Sequence, residues 1–95
     1  AKLRLMDAKA IQAGLDVLGP GAAHIAVWTR AEVRSHSQRV LQRRMPDDAV
    51  ASAHQLFAVL REFDAQGVKL IWVETPPDTP EWEGVRDRLH RASMG

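Results

Sequence analysis

The most constraining feature of this sequence is an amphipathic segment that runs through a glycine into a short apolar run. Apolar residues between positions 49 and 66 recur every three or four places, which is the spacing of one helix face. Gly67 follows and supplies the left-handed conformation that commonly ends a helix. Apart from Lys69, residues 68–73 are branched, aromatic or aliphatic, and Pro76 and Pro77 stop the run soon afterwards. The stretch predicts a long helix followed by a buried strand.

This helix is predicted to turn its larger apolar side chains toward the core. The predicted inner positions are Val50, Ala53, Leu56, Phe57, Leu60 and Phe63, and the predicted outer positions are Ser52, Gln55, Arg61, Glu62 and Gln66. If Phe57 and Leu60 are core residues, replacing either with alanine should cost about 2 to 5 kcal/mol.

Length and composition indicate one folded domain. The chain has 95 residues, of which 45% are hydrophobic and 26% are charged. It has no cysteine, which excludes a disulfide framework, a thiolate zinc site and a cysteine nucleophile. No apolar run approaches the roughly 18 residues of a membrane span, and no charged and apolar leader opens the chain. We therefore expect a cytoplasmic protein without membrane contact.

The other elements alternate in the same way. Asp7 is predicted to cap a first helix, and residues 23–28 are predicted to form a strand. Residues 39–45 are predicted to form an edge strand that arginines protect. Thr79 and Pro80 are predicted to begin a last helix. This order predicts an α/β domain of three layers, Rossmann-like, with a small parallel sheet of about three strands in the order 2-1-3 and about three helices.

The predicted domain boundaries follow from the same pattern. Residues 1–6 are expected to be the end of an interdomain linker, and residues 7–95 a single α/β accessory domain.

Ligands of open parallel sheets bind beyond the carboxyl ends of the strands. Those ends are predicted at Thr29–Arg30, Pro46–Asp48 and Glu74–Asp78. Asp47, Asp48 and Glu74 could converge there as an acid/base pair, although capping and solvation are the favoured interpretation. No glycine-rich phosphate loop follows a strand, since Gly19–Gly21 precedes one.

Other reactive side chains are scattered along the chain. The four histidines fall on four different elements: His24, His36, His54 and His90. The segment Ser35–Ser37 is typical of a polar loop. The three tryptophans are predicted to pack in the core: Trp28, Trp72 and Trp82. The sequence therefore predicts no catalytic, cofactor-binding or metal-binding residue in this chain.

Charge is unevenly distributed. Between Arg30 and Met45 there are five arginines and one acid, whereas nine acids lie between Pro46 and Asp87. One alternative is accordingly a free-standing binding module whose basic segment 30–44 contacts RNA or an acidic protein. The segment lacks interleaved aromatic residues, which favours a solvated loop and edge instead.

Three segments in fixed order resemble a known family. Residues 53–68 hold a Leu-Phe pair, Leu-Arg-x-x-Asp and a glycine, residues 70–77 an apolar strand that ends in Glu-Thr-Pro-Pro, and residues 87–92 the pattern Arg-Leu-x-x-Ala. Together they resemble the C-terminal domain of the long form of threonylcarbamoyl-adenylate synthase.

The resemblance implies a parent protein of two domains. Such a nucleotidyltransferase makes threonylcarbamoyl-AMP and pyrophosphate from ATP, bicarbonate and L-threonine, for modification of adenosine 37 in tRNA. Its YrdC-like catalytic domain, which binds ATP, is N-terminal and is joined by a linker with a His-Tyr-x-Pro motif. This chain contains no tyrosine, so the family's catalytic residues have no counterpart in it.

The resemblance thus implies an accessory domain that is not catalytic alone, needs no cofactor of its own, and anchors the linker over its partner, the catalytic domain. It also implies two structural roles: Arg61 and Asp64 hold each other or an adjacent loop, and Arg88 pairs with Glu74 across the end of the sheet.

Overall fold

A parallel sheet of four strands forms the centre of the structure, a computed structural model that describes residues 1–94. Gly95, the last residue of the predicted domain, lies outside the described residues. The strands are β1 (Lys2–Met6), β2 (Ile25–Thr29), β3 (Leu41–Arg44) and β4 (Leu70–Glu74). The helices are α1 (Ala8–Leu18), α2 (Ala49–Ala65) and α3 (Glu83–Met94), with single 3₁₀ turns at Gly19–Gly21 and Pro80–Trp82.

The strands lie in the order β1-β4-β2-β3, and all neighbours are parallel. The predicted α/β class is confirmed, and the three strands that the sequence predicted stand in the predicted order, with the first of them between the other two. The predicted number of strands was one too low. Residues 1–6, expected to be the end of an interdomain linker, carry the additional strand β1 at the open edge beside β4. Their apolar alternation is too short to distinguish a strand from a linker.

Two apolar clusters on opposite faces of the sheet make the three layers. Because successive residues of a strand point to opposite faces, β2 contributes to both clusters. Trp28 lies in the larger one with Leu56 of α2 and Leu89 of α3. Val27 lies in the smaller one with Ile11 of α1. Helices α2 and α3 therefore cover one face of the sheet, and α1 covers the other.

Helix α1 begins and ends as the sequence predicts. The Asp7 carboxylate accepts a hydrogen bond from the Ala10 N–H at 2.7 Å, and Gly19 ends the helix with φ of 65°. Within the helix, Gly14 allows close packing: a Cβ atom there would be 2.7 Å from two ring carbons of Trp72.

Helix α2 is rotated relative to its predicted orientation. Its buried residues are Ala49, Ser52, Leu56, Val59 and Phe63. Phe57, predicted to be inside, is 61% exposed, and Val50 is 64% exposed. Leu60 is partly buried against the core, in line with the prediction. Ser52, predicted to be outside, is fully buried, and its hydroxyl donates to the Pro46 carbonyl at 3.0 Å. A satisfied hydroxyl thus occupies a core position that hydropathy assigns to solvent.

The ends of α2 match the prediction. The Asp48 carboxylate accepts a hydrogen bond from the Ala51 N–H at 3.1 Å, and Gly67 takes a left-handed φ of 79°.

Helix α3 starts differently from the prediction. The 3₁₀ turn comes first, and the Thr79 side chain makes no capping hydrogen bond. Trp82, Val85 and Leu89 are buried as predicted.

Candidate functional site at the carboxyl ends of the strands

The carboxyl ends of β2 and β4 lie side by side, because the two strands are parallel neighbours. Arg30 follows β2, and Glu74 is the last residue of β4. The Glu74 residue is only 8% exposed, so its carboxylate is a charge placed largely out of water. This is the part of the sheet that the sequence nominated, because ligands of open parallel sheets bind beyond the carboxyl ends of the strands.

The Glu74 carboxylate is held by three hydrogen bonds from one neighbouring loop, one of which is also an ion pair. Its Oε1 accepts from the backbone N–H groups of Arg30 and Ala31, each at 2.9 Å. Its Oε2 lies 2.7 Å from Nη2 of the Arg30 guanidinium, which completes an ion pair. A carboxylate with this many donors is well compensated for its burial.

Arg30 is fixed as firmly as its partner. The same Nη2 donates to the Thr75 carbonyl at 3.0 Å, and the guanidinium carbon lies 5.7 Å from the ring centroid of Trp82. The predicted pair between Arg88 and Glu74 is therefore wrong, since Glu74 binds the arginine of the adjacent strand end. The sequence nominated both Arg30 and Glu74 as strand-end residues but contained no signal that they pair.

The other candidate carboxylates do not join Glu74. Asp48 caps α2, which confirms the capping interpretation, and Asp47 is exposed. Within residues 1–94, no hydrogen bond or ion pair links either residue to Glu74. The hydroxyl of Thr29 is also used internally, since it donates to the Ala31 carbonyl at 2.7 Å. The arrangement ties the strand ends together and engages Glu74, Asp48 and Thr29 in contacts within the fold.

A cleft of about 720 Å³ lies beside this ion pair, between the ends of β1 and β4 and the outer side of α3. Its lining combines apolar and charged side chains of both signs: Leu5, Thr75, Pro76, Pro80, Glu83, Gly84, Arg86, Asp87 and His90. Arg86 is held in place by Asp78 at 2.7 Å and by the Pro77 carbonyl at 2.9 Å. Because Glu83 and Asp87 offset this one arginine, the cleft does not present the net positive charge that a phosphate group requires.

The serine and histidine candidates belong to a polar loop, as predicted. The hydroxyl of Ser35 donates to the Ser37 carbonyl at 2.7 Å, and that of Ser37 donates to the Ala22 carbonyl at 2.6 Å. His36 instead contacts Asp16 of α1, with 2.9 Å between Nε2 and Oδ1. Over the described part of the chain, no group of three or more histidine and acidic side chains is placed to hold a metal ion.

A second contact joins this loop to α1, and the sequence did not predict it. The Gln12 amide donates to the Arg34 carbonyl and accepts from the Arg34 N–H, both at 2.8 Å. Gln12 also donates to Asp16 at 3.0 Å. The hydrogen bond with His36, and then the one with Gln12, lower the pKa of the Asp16 carboxyl below its ordinary value.

The arginines of segment 30–44 are partly taken up by contacts within the domain. Arg30 binds Glu74, Arg43 binds Glu62 of α2, and Arg39 donates to the Gly21 carbonyl at 3.2 Å. The predicted edge strand is confirmed, since β3 lies at the border of the sheet with Arg43 and Arg44 exposed. The structure thus leaves less free positive charge on this segment than the sequence suggests.

The tryptophans pack inside the domain, as predicted. Trp28 and Trp82 are buried on the α2 and α3 side of the sheet, and Trp72 is partly buried against the α1 side. They are not arranged as a surface on which bases could stack.

In the residues that the structure describes, no helix is long and apolar enough to cross a membrane.

The sequence of this chain matches the model of a known protein family. A family model with the description threonylcarbamoyl-AMP synthase, C-terminal domain, matches residues 1–94. Neither the search of the curated proteins nor that of the solved structures gave a match. The matched range includes β1. The chain belongs to the family of threonylcarbamoyl-AMP synthase C-terminal domains.

Proposed function

We propose that this domain supports the synthesis of threonylcarbamoyl-AMP by anchoring the segment that links it to an N-terminal YrdC-like catalytic domain. In this proposal, the catalytic domain binds ATP, bicarbonate and L-threonine and carries out the nucleotidyl transfer. The domain described here contributes no reacting group. The cytoplasmic setting expected from the sequence remains a prediction.

The pairing of β1 with β4 is the observation that carries the proposal. Lys2 to Met6 are in register with Leu70 to Glu74 along the whole strand. The ladder is extended at both ends, by Lys2 N–H to the Lys69 carbonyl and by Thr75 N–H to the Met6 carbonyl, each at 2.9 Å. The first residues of the domain are thus fastened to the sheet rather than attached to it by a loose end. A preceding segment would therefore start from a fixed point.

The state of the strand ends also favours an accessory role. Glu74, Arg30 and Thr29, the polar groups nearest to where a ligand of a parallel sheet would bind, are all engaged with one another or with backbone groups. Asp48 is engaged as a helix cap. Groups that are already paired stabilise a fold but are poorly placed to bind or protonate a substrate. The same pairing of Arg30 and Arg43 makes segment 30–44 a weaker candidate for an RNA contact.

Proline substitution in β1 of the two-domain protein tests the anchoring. In a parallel ladder that begins at Lys2 N–H and ends at the Met6 carbonyl, the Arg4 N–H also points to β4. Arg4→Pro removes this donor and should detach β1, whereas Arg4→Ala changes only an exposed side chain.

The readout is threonine-dependent release of pyrophosphate from ATP and bicarbonate. We expect Arg4→Pro to lower the rate and Arg4→Ala to leave it unchanged. Hydrogen exchange of β2 and β4 must show that both variants remain folded. If Arg4→Pro detaches β1 and the rate stays the same, the anchoring role is refuted.

A further inference from the structure

An apolar stripe on the outside of α2 is not used by the fold. We call Val50, His54, Phe57 and Arg61 the outer stripe of α2, since their spacing of three and four residues places them along one side of the helix. All four are exposed, and the two apolar members are 64% and 61% exposed. The core-facing side of the helix is formed by other residues, so the outer stripe adds two exposed apolar side chains, Val50 and Phe57, with His54 and Arg61 beside them. Apolar surface rimmed by polar residues is typical of an interaction site.

The first residue of the chain lies at the end of this stripe. Asp64 is seven residues after Phe57 and therefore on the same side of α2. The nitrogen of Ala1 is 3.6 Å from Oδ1 of Asp64. Because α2 leads into β4, and β1 is parallel to β4, the end of α2 and the start of β1 meet at the amino end of the sheet.

Distances along the helix are short enough for a preceding segment to reach the whole stripe. At about 1.5 Å per residue, Phe57 is roughly 10 Å and Val50 roughly 21 Å from the level of Asp64. An extended chain advances about 3.3 Å per residue, so roughly three residues before Ala1 reach Phe57 and about six reach Val50.

We propose that the segment immediately preceding Ala1 in the two-domain protein packs along the outer stripe of α2. The inference rests on the proposed function, because it names the surface that holds the linking segment. The segment would place apolar side chains on Phe57 and Val50, about 10 Å apart along the helix axis. It would also bring a carboxylate to Arg61, which has no ion-pair partner among residues 1–94.

A tethered segment is favoured over a separate molecule at this surface. Its first residue is held beside Asp64 by β1, so its local concentration at the stripe is far above that of any free protein. Within residues 1–94, Arg61 and Asp64 do not form the predicted pair with each other, and Oδ1 of Asp64 lies 3.6 Å from the Ala1 nitrogen. Arg61 is therefore available to the segment.

Hydrogen exchange of the two-domain protein, read in the residues before Ala1, tests the inference. Phe57→Ser and Val50→Ser remove the apolar contacts without touching the core, since both side chains are exposed. Val17→Ser is the matched control, because Val17 is 87% exposed on α1, which covers the opposite face of the sheet. We expect the segment to exchange about tenfold faster in the first two variants and at the original rate in the control.

Unchanged exchange in Phe57→Ser and Val50→Ser overturns the inference. It is also overturned if the two variants instead abolish a concentration-dependent dimer seen by sedimentation, since the occupant is then a second copy. The proposed function fails separately, when removal of the whole domain leaves pyrophosphate release unchanged. If pyrophosphate release requires the domain but the residues before Ala1 exchange at the original rate in Phe57→Ser and Val50→Ser, then only the assignment of the outer stripe as the anchor is refuted.

Discussion

Gly14 of α1 and Trp72 of β4 are packed so closely that no side chain fits between them. A Cβ atom on Gly14 would be 2.7 Å from both Cη2 and Cζ3 of the indole ring. The helix therefore contains a glycine at a position where alanine would otherwise be favoured by about 1 kcal/mol. This contact sets how near α1 can approach the sheet.

Replacing Gly14 with alanine should destabilise the domain by about 1 to 3 kcal/mol, because α1 or the Trp72 ring must shift to admit the methyl group. Urea unfolding followed by tryptophan fluorescence measures the change. Gly84→Ala is the control, since its new Cβ atom would have only Arg88 Nη1 nearby, at 3.9 Å. The control should be neutral or up to about 1 kcal/mol more stable. A similar loss of stability in both variants would contradict the packing argument.

Replacing Glu74 with glutamine should cost about 1 to 3 kcal/mol of unfolding free energy. The substitution retains an oxygen for the N–H groups of Arg30 and Ala31 but removes the charge opposite the partly buried Arg30 guanidinium. Glu32→Gln makes the same chemical change at an exposed position of the same loop and should alter stability by less than about 0.5 kcal/mol. Equal stabilities of the two variants would show that the ion pair does not hold the strand ends together.

The orientation of α2 predicts opposite outcomes at adjacent positions. Leu56→Ala should cost about 2 to 5 kcal/mol because Leu56 is fully buried. Phe57→Ala should cost less than about 1 kcal/mol, since most of its side chain is already in water. Thermal unfolding measures the stability lost in each of the two variants. A larger loss of stability in Phe57→Ala than in Leu56→Ala would support the orientation of α2 that hydropathy alone predicts.

The contact between Asp16 and His36 should respond to acid. Hydrogen bonding lowers the pKa of Asp16 in the folded protein, so its stabilising effect is complete above the ordinary value of 3.8 and is lost as the pH falls through the lower folded pKa. In His36→Ala the pKa of Asp16 should rise toward its ordinary value, because the largest cause of its depression is removed. Carboxyl carbon shifts in an NMR titration measure this pKa directly. An identical titration curve in both proteins would exclude the contact in solution.

Much of the fold could be predicted from local pattern. Asp7, Asp48 and Gly67 mark helix ends through the chemistry of their own side chains or backbone, so no distant contact is needed to interpret them. The order of β2, β3 and β4 follows from right-handed connections between parallel strands.

The remaining features depend on contacts between residues far apart in sequence. The side of α2 that faces inward is set by the packing of Leu56, Val59 and Phe63 in the core, with the Ser52 hydroxyl bonded to the Pro46 carbonyl. Strand β1 is a strand because β4 is there to pair with it. The Arg30 and Glu74 pair joins residues 44 positions apart. Periodicity reports none of these contacts. This is why the strand ends could be nominated as a site from the sequence, but the ion pair that joins them could not.

Threonine-dependent release of pyrophosphate tests the accessory role most directly. The rate is measured for the two-domain protein, for the catalytic domain ending before Ala1, and for that catalytic domain with residues 1–95 added as a separate chain. We expect a lower rate for the truncated protein, no activity for the separate chain, and little recovery on mixing, because the advantage of a covalent tether is lost. A truncated protein that is as active as the intact one would refute the accessory role.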